Sequence, residues 1–163
     1  MPSVYNNNVQ IVQNKDTVVI FAEMVHDARL IRLTEGPELD EKVGLWSGDS
    51  RGYWDGDTLV ITTKNFNGLT QSFEGYGSSK NKVLYERLTR IGPDTINYEF
   101  TIDDPSTFTD KVTAIVKLAK ESSQLYEYAC HEGNYGMGNM LRAARDRDVT
   151  AFTDRVREMF DDR

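Results

Sequence analysis

The chain has 163 residues, 39% hydrophobic and 28% charged, the make-up of one ordinary globular domain with a sizeable core. Its net charge of −7 and its lack of a Lys/Arg cluster argue against nucleic acid and anionic membrane surfaces as partners, since both need concentrated positive charge. No apolar run approaches the ~20 residues that span a bilayer, and the single cysteine, Cys130, excludes an internal disulfide framework and a multi-cysteine zinc cluster.

Taken in order, residues 4–13 read as a first strand and 17–25 as a second, with Asn14-Lys15-Asp16 as the turn. The second is almost entirely apolar, which suggests burial on both faces or the lining of a cavity. His26-Asp27 ends it. A shorter third strand covers 29–34, and the acidic stretch 35–42, with Gly36-Pro37, reads as a solvated loop. The strongest local signal lies at 48–63. There Tyr53-Trp54, the pair Asp55-Gly56 as a tight two-residue turn, and then Asp57 and the run from Thr58 to Thr63 form a hairpin. Asp49 and Arg51 stand two apart in its first arm, so a strand turns both to one face. Residues 65–81, rich in Gly, Ser and Asn, read as a long loop of the kind that often serves as a lid. Residues 83–91 and 95–103 make a second hairpin through Gly92-Pro93-Asp94, with Ile96, Tyr98, Phe100 and Ile102 on one face. Residues 111–119 alternate as a further strand, and 124–130 read as the last one. After His131-Glu132-Gly133 the period becomes helical over 139–147, and Val149, Phe152, Val156, Met159 and Phe160 form an apolar stripe on a final helix.

About eight to ten short strands in meander order avoid exposed edges best by closing, so the expected fold is mainly β. It is an antiparallel, lipocalin-like β-barrel in a single domain over 1–163, with a helical C-terminal segment at about 137–161. Such a barrel is wide enough to hold one small ligand.

The only two histidines stand at expected strand ends, each followed by a carboxylate, as His26-Asp27 and His131-Glu132. Histidine is the side chain best suited to exchange protons near neutral pH. Each also fits an ordinary loop histidine, and Glu132 fits a helix N-terminus equally well. Asp49 and Arg51 fit either a structural ion pair or an acid with a stabiliser of negative charge. Phe21, Trp46, Tyr53, Trp54 and Tyr128 fit core packing or the walls of a pocket for an apolar or aromatic molecule, and Asn134 adds a polar contact. Two histidines and an acid can also ligate Fe(II) or zinc. No HxH, HExxH or HxD spacing supports that set, so no metal is expected. The sequence has no phosphate-binding glycine loop, no Gly-x-Ser-x-Gly elbow and no dinucleotide fingerprint, and no cofactor is expected.

Several motifs stand together: Tyr5-Asn6-Asn7-Asn8, His26-Asp27-x-Arg29, Gly48-Asp49-Ser50-Arg51-Gly52-x-Trp54-x-Gly56-Asp57-Thr58-Leu59-Val60, Asp103-Asp104-Pro105, and Cys130-His131-Glu132-Gly133-Asn134-Tyr135-Gly136. On them the chain resembles a large group of bacterial hypothetical proteins, many with an export signal and a longer N-terminal segment. The resemblance covers most of the chain and implies no reaction. Here Met1-Pro2-Ser3-Val4 leads straight into polar residues. The expected compartment is therefore the cytoplasm, or the periplasm or exterior for a trimmed mature form. The hairpin is also similar to strands of lipocalin-type barrels, a likeness of fold alone.

The expectation for function is a cofactor-independent acid–base enzyme, an isomerase, cyclase or lyase, acting on a small, largely apolar molecule in the barrel. His26 or His131 would be its base, Glu132 or Asp49 its acid or orienting group, and Arg51 its anion stabiliser, with Phe21, Tyr53, Trp54, Tyr128 and Asn134 binding the ligand. The alternative is a lipocalin-like protein that binds a small molecule without transforming it. A homodimer is compatible with either.

Overall fold

The computed structural model describes residues 8–69, 79–127, 133 and 135–161. The chain divides into two compact units, Met1–Tyr128 and Ala129–Arg163.

The first unit is a mostly antiparallel sheet of eight strands, paired in chain order from β1 to β8. These are β1 (Val9–Gln13), β2 (Thr17–Ala22), β3 (Ala28–Arg32), β4 (Asp49–Asp55), β5 (Thr58–Lys64), β6 (Val83–Gly92), β7 (Thr95–Asp103) and β8 (Val112–Ala119). Their sequences are rich in Val, Ile, Thr and aromatic residues, which suit a pleated, half-buried surface. One face of the sheet carries the core. Val18, Ile31, Leu59, Ile61, Leu84, Leu88, Tyr98, Phe100 and Ile102 are buried there, with Ile11, Ile20, Leu33, Ala114 and Leu118 packed against them. The register aligns these residues across the strands. Leu59 stands opposite Leu88, Leu88 opposite Tyr98, Leu84 opposite Ile102, and Phe100 opposite Ala114.

The sheet is curled into a half-barrel. Among the described residues β1 pairs only with β2, and β8 only with β7, so two edges remain where a closed barrel would have none. One junction is also parallel. β3 and β4 run in the same direction and share two residue pairs, Ile31–Ser50 and Arg32–Arg51. A parallel pair cannot be joined by a tight turn, and the link here is an irregular crossover over 33–48.

Other boundaries differ from the sequence expectations. The second strand stops at Ala22, because a 3-10 turn, Met24–His26, follows it. No strand covers 124–127; the backbone N–H of Tyr126 instead donates to Glu23 Oε1 at 3.1 Å. Most of the expected lid, 70–78, lies outside the described residues. In the second unit one helix, α1 (Gly136–Asp161), replaces the two expected. Asp148 and Thr150, residue types that could cap a separate final helix, lie inside it, and Thr150 Oγ1 donates back to the carbonyl of Asp146 at 2.9 Å. No described helix is long and apolar enough to cross a membrane.

Candidate functional site

The hairpin β4–β5 closes through Gly56 and Asp57, one residue beyond the expected Asp55-Gly56 pair, because Asp55 still pairs with Thr58. Gly56 has φ +57 and Asp57 stays in the ordinary region, the pattern of a turn with glycine at its first central position. Strand alternation sends Ser50 inward, where its hydroxyl meets that of Thr63 at 2.9 Å, both side chains buried. Asp49, Arg51 and Tyr53 go to the outer face, away from the core.

The structure does bring Asp49 and Arg51 together, with Arg51 Nε 3.5 Å from Asp49 Oδ2. Both are engaged by the crossover and its neighbours. Arg51 Nη1 donates to the carbonyl of Gly36 at 2.7 Å, and Nη2 donates to the carbonyl of Pro37. Asp49 also accepts a hydrogen bond from Arg32. Further along, Asn65 Nδ2 donates to the carbonyls of Asp40 at 2.9 Å and Val43 at 3.1 Å. Asn65 itself sits at φ +58, a conformation asparagine tolerates better than most residues. Gly48 enters β4 at φ +71, and a Cβ there would lie 2.6 Å from the Lys64 carbonyl oxygen. The Gly-Asp-Ser-Arg stretch is therefore the clamp that holds the crossover against the sheet.

Between crossover and hairpin lies an outer-face groove of about 300 Å³, lined by Glu38, Asp49, Arg51, Tyr53, Thr62 and Lys64 with Gly52 and Asn65. Tyr53 forms an aromatic wall and is 60% exposed. Lys64 Nζ and Glu38 Oε1 stand 3.8 Å apart, a loose ion pair without a hydrogen bond.

The other expected site residues do not gather here. His26 ends the 3-10 turn at φ +56 and is exposed, with its backbone N–H on the Glu23 carbonyl at 3.3 Å. It is therefore not carried by the rigid strand that the sequence suggested. Phe21 is half-buried on the outer face of β2, on the side opposite Val18. Trp54 stands opposite Leu59 but is 49% exposed beside the turn. Trp46 is also largely exposed, in the crossover. Tyr128, Cys130, His131, Glu132 and Asn134 lie outside the described residues. Among the described residues no group of three His, Cys, Asp or Glu could hold a metal ion.

Sequence reasoning missed a buried charged cluster. Arg29 on β3 reaches Glu86 on β6 through two hydrogen bonds, Nη1 to Oε2 at 2.8 Å and Nη2 to Oε1 at 2.9 Å. The Tyr98 hydroxyl on β7 donates to Glu86 Oε1 at 2.6 Å. Glu86 is 1% exposed. Burial opposes charge on Arg29, but the Glu86 carboxylate outweighs it and holds the guanidinium above its usual value. Burial, then the Glu86 charge, pushes the Tyr98 hydroxyl well above the ordinary phenol range. Both groups therefore keep their protons through neutral pH and serve as donors. That arrangement suits holding the sheet more than exchanging protons. The sequence signal was available: Glu86 interrupts the inward row between Leu84 and Leu88.

No protein-family model, no curated protein and no solved structure matches the chain.

Proposed function

We propose that this chain is a small-molecule binding module whose site is the outer-face groove, and whose ligand is a small zwitterion with a flat apolar part. The observation that carries the reading is the division of the groove's polar groups into engaged and available ones. Arg51, Asn65 and Asp49 are engaged by the crossover and by Arg32. Among the described residues, Lys64, Glu38, the Tyr53 hydroxyl and the Thr62 hydroxyl have no hydrogen-bond partner. Lys64 offers donors to a carboxylate, Glu38 offers acceptors to an ammonium group, and the Tyr53 ring offers a flat apolar wall. The groove lies at the small end of the range for ligand pockets, about 300–1,000 Å³.

An acid–base enzyme would need a histidine and a carboxylate facing one cavity. The groove contains carboxylates, and His26, the one histidine among the described residues, does not line it, which favours binding over turnover. Closure into a lipocalin-type barrel is not required, since the groove is on the outer face.

The test is a titration of the ¹⁵N-labelled protein with L-phenylalanine, followed by amide chemical shifts. Saturable shifts centred on Tyr53, Thr62 and Lys64 are expected. Lys64→Ala should weaken binding about fivefold, corresponding to ~1 kcal/mol for an exposed ion pair. Shifts scattered over the surface, or equal binding by the Lys64→Ala protein, would sink the proposal.

A further inference from the structure

The outer edge of β8 is open. Among the described residues this strand pairs only with β7, in an unbroken register from Ile102–Val112 to Thr95–Ala119. No backbone hydrogen bond to another described residue leaves its other side. Soluble proteins normally blunt such an edge with proline, a bulge, very short length or several charges. The sequence Val-Thr-Ala-Ile-Val-Lys-Leu-Ala has eight residues, no proline, no bulge and one charge. β1, the opposite edge, is shorter, with five residues, two of them glutamine.

We infer that β8 pairs antiparallel with β8 of a second copy, about a two-fold axis through Ile115, to join the two sheets into one. The sequence is self-complementary in that register. On the outer face Ile115, 60% exposed, meets Ile115 of the other copy, and Thr113 meets Lys117. On the inner face Val112 meets Leu118 and Ala114 meets Val116. Apolar residues thus face apolar residues, and no charge stands directly opposite its like. The nearest like charge on the diagonal, Lys111, is already paired with Asp103 at 3.0 Å. The contact is isologous, so it closes at a dimer and leaves no β8 edge for further growth. It also lies on a different strand from the groove, so it stands or falls independently of ligand binding.

Charge exchange at the axis tests this. The wild-type chain should sediment as a dimer at micromolar concentrations. Ile115→Lys and Ile115→Glu should each raise the dissociation constant about tenfold or more, since like charges then face each other at the axis. Their equimolar mixture should regain the dimer. Ile115 is exposed, and circular dichroism would confirm that both variants keep the wild-type spectrum. Should either fail to fold, Thr113→Glu should tighten the dimer through Lys117 of the other copy, and Thr113→Lys should loosen it. A monomeric wild type, or a dimer indifferent to these substitutions, would overturn the inference and leave β8 to another occupant.

Discussion

Arg51 illustrates how a residue with catalytic credentials becomes committed to the fold through the two ends of its guanidinium. A guanidinium presents a rigid fork of donors, and here two arms of the fork hold consecutive carbonyls of the crossover. Its contact with Asp49 was legible from an i, i+2 spacing. Its carbonyl partners were not, because backbone acceptors leave no mark in a sequence. Asp104 makes the same point just beyond β7. It is buried and accepts hydrogen bonds from Ser106 Oγ at 2.6 Å and Thr107 Oγ1 at 2.9 Å. Burial favours its neutral form, but these hydrogen bonds outweigh burial and hold the carboxyl below the ordinary range. The folded state therefore binds the proton less readily than the unfolded chain. The stabilisation is complete above the unfolded value, about 3.9, and is lost as pH falls through the lower folded value. Asp104→Asn should accordingly be less stable than wild type at pH 7 by about 2 kcal/mol. Urea unfolding at a series of pH values should show that gap closing on acidification. A gap independent of pH would contradict the assignment.

At the scale of elements, two glycines with similar backbone angles separate conformational strain from crowding. Gly56 has φ +57 in the hairpin turn, and a Cβ there would meet nothing within 4 Å. Gly48 has φ +71, and a Cβ there would lie 2.6 Å from both the Lys64 carbonyl oxygen and Thr63 Cγ2. Gly56→Ala should therefore cost only the backbone strain of a positive φ, roughly 1–3 kcal/mol. Gly48→Ala should cost distinctly more, because backbone cannot move aside as a flexible side chain can. Equal losses in urea unfolding would mean that Gly48 is not crowded. The hairpin was readable because its turn residues and alternating arms agree. The crossover was not, since a two-pair parallel contact leaves no periodic trace.

For the molecule as a whole, Arg29 and Glu86 determine how the sheet is held in its curl. They are 57 positions apart, on strands separated by β4 and β5, and a flat sheet could not bring them together. Glu86→Ala should cost about 3–5 kcal/mol, because it leaves a buried guanidinium without its counter-charge. Replacing both, as Arg29→Met with Glu86→Leu, should restore most of that loss when Tyr98→Phe also removes the hydroxyl that Glu86 accepts from. A combined variant no better than the single would show that the pair does more than neutralise itself. Strands β6 to β8 were legible in the sequence because alternation persists over eight or more residues. Their curl was not, because it depends on side chains that meet only after folding.

The short parallel junction between β3 and β4 has a consequence for amide hydrogen exchange. β5, β6 and β7 are each flanked on both sides by long antiparallel partners, whereas β1 to β3 join the rest through two residue pairs. Opening the amino-terminal meander as a unit then breaks few ladder hydrogen bonds, and its resistance comes from the Arg29–Glu86 contact and the shared core. This is a sub-global opening of the kind seen in cooperative segments of other domains. Under native conditions, amides of β2 such as Val18 and Ile20 should exchange together, at a lower opening free energy than Ile61 or Phe100. Low concentrations of denaturant should speed the first group before the second. Uniform protection across both groups would show that the Arg29–Glu86 contact fuses the halves into one cooperative unit.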